Sequence, residues 1–234
     1  MASTEPIFPR PPGEEPPVVQ RGGKAPRGEG IRHPGWFLAA ALAVLPWTAL
    51  VHVHPPRFFL WAALYCAVWN ALSWKALGGQ GRALLLPKRV DVLWGVALAA
   101  VLYVGSRAVL WAMCGGFTEV LCEPLTAIYA TFGQGSIGAA LALALVIAPA
   151  EELFWRGAVQ QALRPRLGRA GCALVAAVLS SLVLLAFREP LLALAAFPTS
   201  LAWGLLAEWR RSLVASTVSH SLWDLLIVIL LPAV

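Results

Sequence analysis

Charge is scarce in this chain. Only 13% of its 234 residues are Asp, Glu, Lys or Arg, about half the share of an ordinary soluble domain. With 59% hydrophobic residues, that shortage excludes a globule that keeps a polar surface in water. Cysteine is also sparse: Cys66, Cys114, Cys122 and Cys172 are too few for a disulfide scaffold, and their spacing matches no zinc pattern. No glycine-rich phosphate loop, CxxC pair or nucleotide fingerprint occurs, and no internal repeat suggests a transporter. The formal charge of +6 does not mark a nucleic-acid binder, because the basic residues fall between apolar runs instead of forming one patch.

What the chain has instead is apolar runs. A spanning helix needs about 20 apolar residues, and seven candidates satisfy this roughly: 36–53, 58–74, 90–112, 137–162, 171–188, 191–207 and 213–233. The expected fold is an all-α polytopic membrane bundle of seven transmembrane helices, spanning 36–234. Residues 1–35 are rich in Pro, Gly and charge and hold no apolar core. They read as a disordered tail with no cleavable secretory signal. Cys66 and Cys172 lie in apolar runs, as buried small hydrophobes do. Cys114 and Cys122 flank a loop of about 113–135 and pair if that loop faces an oxidising compartment.

Basic residues orient the bundle. With the tail inside, the cytoplasmic segments hold Arg10 to Arg32, then Lys75, Arg82, Lys88 and Arg89, then Arg156, Arg164, Arg166 and Arg169, then Arg210 and Arg211. Of the 18 Lys and Arg, only Arg57, Arg107 and Arg188 are left for the other side or the membrane. The bias predicts a cytoplasmic N-terminus and an external C-terminus. Trp36, Trp47, Trp61, Trp74, Trp94 and Trp111 lie near span ends, where aromatic belts form.

Few polar residues remain inside the spans: Glu151, Glu152 and Arg156 in the fourth, Arg188 at the end of the fifth, and His220 and Asp224 in the seventh. An ionised side chain at bilayer depth costs at least ~3 kcal/mol, so these positions ask for a functional reading. Glu151 lies 13 residues before Arg164 and Asp224 lies 13 after Arg211, which puts each ~20 Å from a cytoplasmic anchor at helical rise. His220 shares a helix face with Asp224. Groups from two helices thus reach similar depth, and a shared polar cavity is the economical outcome.

Glu151-Glu152-Leu153-Phe154-Trp155-Arg156, followed some 70 residues on by His220-Ser221-Leu222-Trp223-Asp224, resembles the signature of the CAAX-processing and bacteriocin-processing intramembrane endopeptidases, the glutamic-type intramembrane proteases. Trp203-Gly204 looks like the glycine-containing helix that leads into the last motif. The resemblance covers about 136–233, the protease-like core. It implies that Glu151 is the general base that activates water, and that His220 and Asp224 stabilise the oxyanion. Alternatively, Asp224 orients His220 and fixes its tautomer. Glu152 and Arg156 look like a supporting ion pair. The family's middle motif is Phe-x-x-x-His. Aligning Ser180-Ser181 puts Leu184 at its Phe and Arg188 at its His, a departure, because an arginine is no base near neutral pH. Arg188 then either binds a carboxylate or a peptide carbonyl, or snorkels at the outer end of the fifth span.

The resemblance implies a membrane endopeptidase; no cofactor is expected. Its substrate would be a membrane-anchored protein with a prenylated C-terminus, a bacteriocin-type precursor or a C-terminal sorting signal, the last as in the myxosortase-like branch. Ala/Arg/Gly/Pro-rich usage and short loops suggest a bacterial inner membrane. Several rivals stand beside this reading. The acidic pair could be a solvated helix end, and His220 a core histidine satisfied by Asp224. Ser216, His220 and Asp224 share a face, but no oxyanion element accompanies them as a serine hydrolase would need. Glu151, Glu152 and His220 could hold a divalent metal, although the missing motif histidine removes a further ligand. Other classes are an impaired relative that acts as a membrane binding, immunity or scaffold protein, and a small transporter coupled through Glu151.

Overall fold

A computed structural model describes residues 35–112, 114, 119–132 and 136–230. The tail read as disordered lies outside the described residues, apart from Gly35. Among the described residues there are helices and no strand. The helices are α1 (Gly35–Val53), α2 (Phe58–Leu84), α3 (Arg89–Ala112), α4 (Glu119–Phe132), α5 (Ile137–Phe187), α6 (Pro190–Arg210) and α7 (Leu213–Leu230). Four of them, α3, α5, α6 and α7, are long and apolar enough to cross a membrane. The apolar part of α2 stops at Lys75, yet the helix continues to Leu84.

Sequence punctuation explains the ends. α1 stops before Pro55-Pro56, where His54 and Arg57 take positive φ. Ser136 caps α5, its Oγ accepting from the Ala139 amide at 3.1 Å. Pro190 occupies the first turn of α6, where its missing N–H costs nothing.

The long run α5 holds both the fourth and fifth expected spans. It breaks at Gly168 (φ 68°, ψ −174°), a conformation open essentially to glycine alone. The first arm, residues 137–167, and the second arm, 169–187, pack against each other across that break. The second arm tightens into a 3₁₀ turn over Val183–Phe187 and ends at Arg188 in the left-handed region. The stretch expected as an external loop holds α4, at 14 residues about 21 Å long and too short to span. Cys114 and Cys122 are joined by a disulfide across its start.

Packing centres on α7. Small residues Ala215, Ser216 and Ser219 are fully buried. A Cβ on Gly95 of α3 would lie 2.7 Å from the Ala215 carbonyl oxygen, so only glycine permits this approach. At the start of α3, buried Asp91 accepts from Nε of Arg210, the last residue of α6, at 2.9 Å. Outward, α3 presents Leu93, Val101, Val104 and Val109, a face suited to acyl chains. The other main core joins α1 and α2 to α5 through Val51, Phe58, Ala62, Leu143 and Ile147.

Candidate active site

The acidic pair sits on the first arm of α5 between two π-helical turns, Leu143–Ile147 and Leu153–Val159. A third π-helical turn, Leu225–Leu230, follows Asp224. Such wide turns gather at functional sites. Here they flank every acidic residue of the cluster.

The two carboxylates face different surroundings. Glu152 is fully buried, and its Oε1 accepts from Arg156 Nη1 at 3.0 Å and from His220 Nδ1 at 2.9 Å. Glu151 keeps 38% of its side chain exposed, with Oε2 at 3.7 Å from His220 Nε2. Asp224 Oδ2 lies 3.6 Å from that same nitrogen. The structure therefore brings Glu151, Glu152, His220 and Asp224 into one cluster with Arg156.

The carboxylate that holds the Nδ1–H of His220 belongs to Glu152, not to Asp224. Asp224 faces the opposite nitrogen together with Glu151. Glu152 and Arg156 do form an ion pair, but this carboxylate also orients the imidazole.

The ring is fixed from below as well. Trp203 of α6 stacks on His220 with centroids 3.8 Å apart and planes 19° from parallel. Trp203 Nε1 donates to Ser219 Oγ at 3.0 Å, which anchors the indole. Arg156 passes over the same indole at 5.5 Å. Its Nη2 donates to the Ser200 carbonyl at 2.8 Å and to Ser200 Oγ at 2.6 Å. Ser180 Oγ and Ser200 Oγ complete the chain.

Beside Glu151 opens a cleft of about 60 Å³. Val44 and Trp47 come from α1, Tyr65, Cys66 and Trp69 from α2, and Ala150, Phe154, Trp155 and Val183 from α5. Among the described residues on its wall, Glu151 carries the only charge. The carboxylate thus stands between an aromatic cleft on one side and the His220 imidazole on the other.

Arg188 is not brought to this cluster. It caps the second arm of α5 at φ 60°, ψ 16°, exposed, and it lines neither the cleft nor the acidic cluster. Ser216 donates to the Leu213 carbonyl at 3.2 Å one turn back in its own helix. Among the described residues, no three His, Cys, Asp or Glu side chains are arranged to hold one metal ion.

Ser200, the stacking role of Trp203 and the cleft wall from α1 and α2 were not read in the sequence. A signal for Ser200 exists: Arg156, Gln160 and Arg164 recur every fourth residue, and so do Ser200, Gly204 and Glu208. The cleft wall leaves no such trace, because aromatic residues near span ends look alike whether they face lipid or a cavity.

Residues 133–226 match the family model of the Rce1-like type II CAAX prenyl endopeptidases. The acidic pair, Arg156, Trp203, His220 and Asp224 all fall within the match, whereas α1 and α2 lie outside it. No curated protein and no solved structure matches the chain.

Proposed function

We propose that this chain, Rce1-like over 133–226 and a multi-pass membrane protein, hydrolyses a peptide bond of a membrane-anchored protein substrate with water activated by Glu151. The observation that carries the reading is the split environment of the acidic pair. Glu151 meets the cleft, while Glu152 is sealed behind it on Arg156 and His220.

Glu151 takes a proton from a water in the cleft as that water attacks the scissile carbonyl. The tetrahedral oxyanion forms toward His220 Nε2, which donates to it from the imidazolium form, its Nδ1–H held by Glu152 and its Nε2–H on the Glu151 side. Asp224 shares that nitrogen and holds the imidazole proton ready there. Glu151 then returns its proton to the departing amine, so the step is balanced without any other reactant. Aromatic walls suit an apolar segment of substrate, as in C-terminal processing or removal of a sorting signal. We place the protein in a cell membrane with its N-terminus on the cytoplasmic side, on the strength of its basic loops.

A second reading, an impaired relative that binds a membrane protein without cleaving it, is favoured by one observation: among the described residues the cleft wall holds no histidine. Co-expression with membrane-anchored reporter substrates separates the two. Processing that stops in Glu151→Gln supports the protease. Processing that continues unchanged in Glu151→Gln removes it, and capture of a reporter without cleavage by the parent chain supports the binding role.

A further inference from the structure

The first arm of α5 and helix α6 touch through a polar ladder with one fixed register. Arg156 donates to Ser200, Gln160 Nε2 to the Gly204 carbonyl at 3.0 Å, and Arg164 Nε to Glu208 Oε2 at 2.9 Å. Each rung joins residues 44 apart in sequence. A constant difference means that the two helices run parallel.

Glu208 is the foot of this ladder. It is only 3% exposed, yet Gln160 Nε2 at 3.3 Å, Gln161 Nε2 at 3.0 Å, Arg164, and Arg211 Nη1 at 3.7 Å all converge on it. Burying a carboxylate this way adds little net stability, since a well-packed apolar residue usually does as well. The best-attested return of a buried ion pair is register. Register matters here because α6 also carries Trp203, the plate beneath His220, and Ser200, the acceptor of Arg156.

We propose that Glu208 is a positioning residue for the reaction assigned above. By fixing α6 against the first arm of α5, it sets Trp203 beneath His220 and so aims Nε2 at the Glu151 side. The proposal rests on the protease reading for its kinetic consequence, but not for its structural one.

The test uses the full chain in lipid nanodiscs, labelled with ¹⁵N-histidine. The resonance of the His220 Nδ1–H on Glu152 is assigned by its loss in His220→Gln. Three variants disturb the ladder, two at its outer rung and one at its middle rung. Glu208→Gln removes the charge, and Arg164→Ala empties the outer rung from a side chain already 30% exposed. Gly204→Ala places a Cβ 2.9 Å from Gln160 Oε1 in the middle. The expected result is a shifted or broadened His220 signal in all three. It is accompanied by a kcat about ten- to a hundredfold lower at unchanged KM, as small misplacements produce. A His220 signal identical to the parent's in folded Arg164→Ala and Glu208→Gln, with only a lower unfolding temperature, overturns the proposal. If no substrate is ever cleaved, the protease reading fails while the His220 signal still decides the role of Glu208.

Discussion

Glu152 and His220 stand 68 residues apart in the chain, and their side chains meet in a 2.9 Å hydrogen bond between buried atoms. The same carboxylate oxygen holds Arg156. One acceptor thus joins two distant stretches of sequence, and it leaves Glu151 as the acid that faces outward.

That division of labour predicts different losses from adjacent residues. Glu151→Gln should lower substrate processing by about two to four orders of magnitude, the usual share of a general base, with the thermal unfolding temperature nearly unchanged. Processing of an anchored reporter and unfolding in detergent, measured on the same preparation, check both halves.

Glu152→Ala should act on stability first. It strands the Arg156 guanidinium, itself 2% exposed, and breaking a buried pair by removing one partner costs about 3–5 kcal/mol. Denaturant or thermal unfolding should show the loss, and Glu152→Ala/Arg156→Met should recover part of it without recovering activity.

Arg188 should matter through its backbone. A non-glycine residue in the left-handed region costs on the order of 1 kcal/mol, so Arg188→Gly should raise stability by about that much and leave processing intact. Arg188→His should bring no gain in activity. A clear gain would show that the side chain at 188 reaches the cleft.

Gly95→Ala should loosen α3 from α7. The added methyl meets the Ala215 carbonyl oxygen at 2.7 Å and Val218 Cβ at 2.8 Å, and overpacking of this kind costs about 1–3 kcal/mol. The unfolding temperature should fall, and the Asp91–Arg210 pair should become easier to remove.

Much of the site was legible because a helix repeats. Spacing of four puts His220 and Asp224 on one face, and counting from basic anchors placed the acidic pair at their depth. The pattern could not say which carboxylate would hold the imidazole. Glu151 and Glu152 point some 100° apart on a helix, and the π-helical turns beside them rotate that angle in a way no periodicity reveals. The two readings of Arg188 could not be separated in the sequence for a related reason. Counting eight residues on from Ser180 assumes an unbroken α-helix, whereas the backbone tightens at Val183 and leaves the helix before 188. The helix Glu119–Phe132 was hidden by its shortness and by Pro124 within it. The four span-length helices and the Gly168 break followed the apolar runs and the gap between them.

The fixed offset of 44 residues has an electrostatic consequence. Two reversals, at Gly168 and at Arg188–Glu189, return the chain to its first direction, so the first arm of α5 and α6 both end at the same side. Their carbonyl-rich termini carry partial negative charge and would repel as neighbours. Arg164 and Arg166 lie at one of those ends and Arg210 and Arg211 at the other. The arginines that read as a topology signal therefore also act as counter-charge for two macrodipoles pointing the same way.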